Sequence, residues 1–509
     1  MIGSNQEQKM HASNETVRCQ RLARLMGKSI TRTASLLFVV LLSSGSIQSV
    51  FADQTTGGVN WLDPLGYAKP AFRPLTVPTP GANQYWVDLG GGSGSTCTAT
   101  SPCTWASVQG KPGTQGGGAV IYIKNSGPIG SPTLYGTAGN EVVIKPWNDT
   151  TLATITGRNN WTTRIQYVMF DGGPNLNIKF NNTANAQFDP SIYFNAATAG
   201  LESHITFYRT QWTVPGMGEN LAQWGIVDNL NIINSEFQSG SSTDKNNQHH
   251  IYFSGASNFG TSAHIYLLGN VFRDTPGEQI EFRMFQNSDD VVIDGNAFHN
   301  MGKGTCAVSW KCRPAITVAS SGATVTNLRI SNNLMWDLGE GAVRMWSGSP
   351  LIYNNSIWQW GQGSPANGGW GQWAFYGPGP NDGSGTIRNN IIYGTGSTGN
   401  GYALVPFDNS SFTKSNNVCA SGSTSGCGGT FQVSGTNQTV ASISPSNPGF
   451  MRINGTLSTA YQVGATIAAV TATYLGIARA TPYDVGAFSL DGQAATAPSA
   501  PTNLRIIGS

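Results

Sequence analysis

From about residue 200 onward the polar and apolar positions of the chain fall into a recurring pattern. A short run rich in Ile, Val, Leu and Phe ends in an Asn-containing turn, and two or three more apolar residues follow. The runs are NLNIINSEF (229–237), AHIYLLGNVF (263–272), DVVIDGNAF (290–298), NLRISNNLMW (327–336), SPLIYNNSIW (349–358), GTIRNNIIY (385–393) and FTKSNNV (412–418). With Asn234, Asn270, Asn296, Asn333, Asn355, Asn390 and Asn417 as markers, the steps are 36, 26, 37, 22, 35 and 27 residues. A repeat of that size with variable insertions predicts a solenoid whose neighbouring turns bury one another's apolar rows. A second class of strand alternates with the first: HHIYFSG (249–255), EQIEFRMF (278–285), PAITVAS (314–320), AVRMWSG (342–348), QWAFYG (372–377) and YALVPF (402–407). No helical period separates the two classes, and the hairpin signals of an antiparallel sandwich are scarce, so the all-β fold expected is a parallel β-helix. Asn recurs at the turn because it tolerates left-handed backbone and bonds locally, and stacked copies can bond along the axis as a ladder.

Composition narrows the partners. Only 11% of the 509 residues are charged, against about 25% in a typical globular protein, and 28 basic residues face 26 acidic ones. Phosphate binding needs clustered Lys and Arg, so no nucleic acid is expected. With 14 Trp, 16 Tyr and 21 Phe the chain has the aromatic content of a folded protein. Residues 34–42, ASLLFVVLL, follow Lys28 and Arg32 and precede the small-residue stretch SSGSIQSVFA, which is the order of a secretory signal peptide. Cleavage is expected after Ala52, and the long leading segment suggests initiation at Met26. No run reaches the about 20 apolar residues of a membrane span. Residues 1–52 carry six basic and two acidic residues, which leaves 22 basic against 24 acidic.

Apart from Cys19, the cysteines form three local pairs: Cys97 with Cys103, Cys306 with Cys312, and Cys419 with Cys427. None has the C-x-x-C spacing of a zinc or redox site. Three disulfides that staple loops in an oxidising compartment are expected.

At the level of these repeats the chain resembles the pectate-lyase-like family of right-handed parallel β-helix proteins, over roughly residues 80–490. QYWVDLGGGSGSTCTATSPCTWASV (84–108) looks like the N-terminal cap of secreted β-helix proteins, and YDVGAF (483–488) looks like a short closing strand. The resemblance implies a single-stranded right-handed solenoid with an N-terminal cap and loop insertions. The expected organisation is a signal peptide over 1–52, an N-terminal extension over 53–83, the β-helix over 84–490, and a Pro/Ala/Ser-rich tail over 491–509.

Chemistry is expected on the outer face of the second strand class, because alternate side chains of a strand point outward and equivalent strands stack. Placing Phe253, Phe282, Val318, Met345 and Phe375 inward gives one outward column of Tyr252, Glu281, Thr317, Arg344 and Ala374. The next reads Ser254, Arg283, Ala319, Trp346 and Tyr376, with His250 and Gln279 one step before. Guanidinium groups pair with uronate carboxylates and aromatic rings stack on sugars. The face therefore suits an acidic extracellular polysaccharide. Elimination from a uronate needs a base for the C5 proton, a cation for the developing enolate and an acid for the leaving oxygen. His250, Tyr252, Glu281, Arg283 and Arg344 are the candidate catalytic residues, and Trp346, Tyr376 and Gln279 the candidate substrate contacts. His249 is expected to point the other way.

Two branches of the family fit less well. The alginate- and chondroitin-lyase branch has a Glu-x-Glu calcium site followed by a catalytic Lys. In GEQIEFRMFQNS (277–288) two residues separate Glu278 from Glu281 and no Lys follows. The polygalacturonase branch needs clustered Asp and Gly-His-Gly, and only Asp289-Asp290 is present, in an expected turn. No cofactor is identified, and calcium has no supporting motif. The expected function is a secreted polysaccharide lyase or epimerase, and the alternative is a non-catalytic surface or adhesion protein that binds glycan through the same Trp-rich groove. The sequence leaves the oligomeric state open.

Overall fold

The strands that the pattern predicts are all parallel and stack into three sheets in a computed structural model. It describes residues 66–490 except 79–80, 82, 184–188, 197, 199, 215–218, 224, 240–248, 254–259, 276–279, 283–286, 302–313, 319–323, 340, 346–347, 362–372, 377–383, 394–401, 405–411, 421–431, 434–439, 448–449 and 455–457. Among the described residues sheet I has nine strands, from Asn159–Trp161 through Ile192–Phe194, Leu221–Gln223, Ile251–Phe253, Ile280–Phe282, Ile316–Val318, Val343–Met345 and Trp373–Tyr376 to Tyr402–Leu404. Sheet II holds strands such as Val227–Ile233 and Thr261–Leu268, and sheet III strands such as Glu236–Ser239 and Val271–Thr275. One coil runs from sheet II through a two-residue turn into sheet III and then to sheet I. The first strand class of the sequence is thus two strands, one on each side of the Asn turn, and the second class is sheet I. The result is an all-β, right-handed parallel β-helix.

Two residues divide the work of each turn. The first takes a left-handed φ: Asn234 (51°), Gly269 (64°), Gly295 (65°), Asn332 (53°), Asn354 (54°), Asn389 (59°) and Asn416 (54°). The second forms a buried ladder. Asn270, Asn296, Asn333, Asn355 and Asn390 each donate Nδ2 to the Oδ1 of the next, ending on Asn417, at 2.9–3.0 Å. Each also donates to a carbonyl of the preceding coil, Asn333 for example to Ile293. The marker Asn234 lies one residue out of register, for Ser235 occupies the ladder position and its N–H meets Asn270 Oδ1 at 2.9 Å.

The interior is filled by columns of like residues. Along sheet III, Phe180, Trp212, Phe237, Phe272 and Phe298 stack with centroids 4.1–5.2 Å apart. Their coils begin well before residue 200, since Asn83–Asp88 already pairs in parallel with Ala119–Lys124. The early coils escape the sequence pattern because their turns lack the Asn marker; the turn before Asn234 is Arg209-Thr210, where Thr210 Oγ1 bonds Ser235 at 3.0 Å.

The cap region contains a short helix, Trp105–Val108, N-capped by Thr104, and a Cys97–Cys103 disulfide. Cys419 is disulfide-bonded as well, while Cys306, Cys312 and Cys427 lie outside the described residues. YDVGAF is not a closing strand. The described residues of 440–490 instead form turns and isolated bridges that pack on the outside of the late coils. The segment 66–78 packs along the outside too. Leu75 and Val77 cover Val120, Val143, Met169 and Ile233, and Arg73 reaches Asp294 at 3.0 Å. Among the described residues no helix is long and apolar enough to cross a membrane.

Candidate active site on sheet I

Parity along sheet I follows the sequence pattern. Phe253, Val318, Met345 and Phe375 are fully buried in the interior cluster, as are Ile251, Ile316 and Val343. The intervening residues face away from that cluster. Parallel pairing sets them in one column of Tyr193, Ala222, Tyr252, Glu281, Thr317, Arg344 and Tyr376. The last rung differs from expectation. Phe375 pairs with Val343 rather than Met345, so Tyr376 stands beside Arg344 and Ala374 is buried in the core. The slip by two residues preserves in and out but moves Tyr376 into the first column. Arg283, Trp346 and Gln279 lie outside the described residues, as do the side chains of Glu281 and Tyr376.

His250 corrects the expected site. Its ring lies wholly inside, where Nδ1 is 2.6 Å from Asn220 Nδ2 and 3.3 Å from Ser239 Oγ, and Nε2 is 3.0 Å from the Arg273 carbonyl. Phe237 and Phe272 flank it at 5.8 and 6.0 Å. Burial pushes its pKa down to about 3, so the ring is neutral. The physical reason is that strict alternation holds only within the strand. Pairing along sheet I begins at Ile251, and the residue before it sits at the corner between sheets III and I, where its side chain tucks inward.

His249 takes the outer position instead. Its ring stacks on Tyr252 with centroids 5.0 Å apart, and Nδ1 lies 3.7 Å from Glu219 Oε1. Tyr193, two rungs before Tyr252, joins the group. Burial above all pushes its phenol up to about 12; Glu219 and Tyr252 add to that rise, and Arg158, over the ring at 4.7 Å, opposes it. Farther along, an Arg344 Nη donates to Thr317 Oγ1 at 3.3 Å, which turns the guanidinium back toward Tyr252. These side chains are nearly covered rather than displayed in an open groove: His249 is 1% exposed, Tyr252 5% and Arg344 6%. Glu219 and His249 were not legible as site residues, because Glu219 precedes its strand and carries no motif. The signal for them was the corner itself, two residues before each sheet I strand.

The described tryptophans do not gather on this face. Trp212 belongs to the interior stack, Trp360 to the core, and Trp336 stacks on His299 at 4.4 Å beneath Phe450. The other described histidines lie elsewhere: His204 stacks on Tyr167 at 4.1 Å, and His264 Nδ1 meets Asp228 at 2.9 Å. Asp289 and Asp290 sit within the strand Asn287–Asp294 of sheet II, with Asp290 at a left-handed φ of 49°, rather than in a turn between strands. Among the described residues no group of three His, Cys, Asp or Glu side chains is placed to hold a metal ion.

No protein-family model and no curated protein sequence matches the chain. Among solved structures, pectate lyase Pel9A superposes with a TM-score of 0.52 at 12% identity, over 80% of this chain and 96% of that one. A rhamnogalacturonan lyase gives 0.38 at 11% identity, over 74% and 97% of the two chains. A PL6 family alginate lyase gives 0.37 at 12%, over 69% and 53%. The chain therefore shares with the pectate lyase its fold, the right-handed parallel β-helix.

Proposed function

We propose that this protein is an exported polysaccharide lyase acting on a uronate-containing glycan from the outer face of sheet I. The observation that carries the reading is the cluster of Glu219, His249 and Tyr252, with Arg344 on the same column. In the proposed elimination His249 takes the C5 proton of a uronate, and Glu219 beside its Nδ1 stabilises the imidazolium that forms. The C4–O bond breaks as the C4–C5 double bond forms, and the Tyr252 phenol gives its proton to the leaving oxygen. Negative charge develops on the carboxylate of the uronate over His249 as the C5 proton leaves. Arg344 stands three rungs from Tyr252, about 14 Å along the backbone, and its turn toward Thr317 shortens that gap. It therefore fits the carboxylate of a sugar neighbouring the one over His249. Glu281 stands one rung from Tyr252 and Tyr376 one rung beyond Arg344 on the proposed substrate track. The fold it shares with a pectate lyase is compatible with this chemistry.

A binding-only surface protein is the second reading; Trp212 and Trp360 are spent in the core and Trp336 under the C-terminal segment, which leaves fewer rings for an aromatic groove. Incubation with a panel of uronate polymers, followed by ultraviolet absorbance of unsaturated product, tests the proposal. New absorbance with one polymer supports it. Flat absorbance with an altered C5 configuration would mean an epimerase, and flat absorbance with unaltered polymers would leave binding only.

A further inference from the structure

Upstream of the cluster, sheet I carries a second cationic group for which the proposed elimination has no use. Arg158 immediately precedes the first described strand of sheet I. Its guanidinium lies over the Tyr193 ring at 4.7 Å and 3.7 Å from Asp189 Oδ1. The Arg158 side chain remains 41% exposed, in contrast to Arg344. Tyr193 stands on the same outward column as Tyr252, two rungs away through Ala222. Ala222 leaves little side chain between the two rings. The chain thus presents, in order along one column, an Arg on a Tyr, a small residue, the Tyr252–His249 pair, and Arg344.

We infer that Arg158 and Tyr193 form a separate subsite for an anionic sugar, with Arg158 pairing the carboxylate of a uronate and Tyr193 lying against its ring. This rests on the reading of sheet I as the face that holds a uronate polymer. A 3.7 Å contact is longer than a charge-assisted hydrogen bond of about 2.7–2.9 Å, so Asp189 holds Arg158 loosely and a uronate carboxylate can take its place. The planar guanidinium, already set against the ring, offers two parallel donors in a fixed fork, which Lys cannot imitate. Five rungs separate Tyr193 from Arg344, about 24 Å at about 4.8 Å per rung. Two cations that far apart select a polymer or a long oligomer over a short one, and they discriminate against neutral glycans at both ends.

The test is the affinity of a catalytically silenced protein, His249→Ala, for polyuronate chains of graded length, measured by calorimetry at low and at moderate salt beside a neutral glycan. The same measurement is repeated with Arg158→Ala and with Arg158→Lys added, and the melting temperature of each variant is recorded. Expected is a loss of about tenfold or more on long chains for Arg158→Ala, no change for chains too short to span both cations, and incomplete rescue by Lys. Equal affinities for long chains with and without Arg158, at unchanged melting temperature, would overturn this subsite and leave the proposed function standing. Failure of the silenced parent to bind any polyuronate would remove both.

Discussion

Two adjacent histidines point opposite ways in this structure, His250 into the interior and His249 toward Tyr252. His250 is buried neutral with three polar partners, so His250→Ala leaves Asn220 and Ser239 with fewer bonds and opens a cavity beside Phe237 and Phe272. A loss of about 2 kcal/mol or more in urea unfolding is expected. The pH dependence has a definite sign. The folded pKa of about 3 lies below the ordinary histidine value of 6.5, so the unfolded chain binds the extra proton, and the contribution is complete above about pH 6.5 and lost as pH falls toward 3. The gap between wild type and His250→Ala should therefore narrow by about 1.4 kcal/mol per pH unit below pH 6.5. A gap that stays constant with pH would place the ring in water. The in/out pattern of Phe253 and Val318 was legible from the sequence because alternation is strict within a strand. The exchange of His249 and His250 was not, since it depends on where a corner ends.

At the scale of the element, the turn between sheets II and III assigns different tasks to neighbouring asparagines. In the ladder, Asn333 receives the N–H and Nδ2 of Asn296 and gives Nδ2 to Asn355 and to the Ile293 carbonyl, all away from water. Asn333→Ala strands several of these groups, and about 3 kcal/mol of destabilisation is expected, since each buried unsatisfied group costs about 1–3 kcal/mol. Asn416 supplies a left-handed φ and one partly exposed bond to the Val463 carbonyl. Asn416→Gly keeps that backbone without strain and should cost no more than about 1 kcal/mol. Denaturant midpoints for the two variants decide between this division and a set of interchangeable turn residues. The repeat was legible because both tasks favour Asn, which produces Asn-Asn pairs at 332–333, 354–355, 389–390 and 416–417. Where Arg209-Thr210 or Gly269-Asn270 does the same work, the pattern fades, and the coils before residue 200 fade with it.

For the whole molecule, the left-handed column is also a docking rail. Asn234 bonds Arg73 through both its side-chain groups, Asn354 bonds the Asp484 and Gly486 carbonyls, and Asn389 bonds the Ala465 carbonyl. The segments before and after the coils are thereby fastened across many of them. Gly295 is glycine where Arg73 passes, and a Cβ there would stand 2.3 Å from the guanidinium. Gly295→Ala should both strain the turn by about 1 kcal/mol and lift the segment 66–78. The expected signature is faster cleavage of that segment in limited proteolysis along with a lower melting temperature; unchanged cleavage would mean that Arg73 yields without releasing the segment. Neither flanking segment has a repeat or a motif, so sequence periodicity could not show where it lies. Intact mass should correspond to a chain beginning at Asp53, with six cysteines protected from alkylation until reduction; six free thiols would contradict it.

The central claim is that chemistry is done on the outer face of sheet I by His249 with Glu219 and Tyr252. The most direct test is the rate of unsaturated product formation by His249→Ala beside wild type, on whichever polyuronate the wild type cleaves. The expected result is a fall of at least about 10²-fold in a variant that still unfolds cooperatively. A His249→Ala rate within a few-fold of wild type would contradict it.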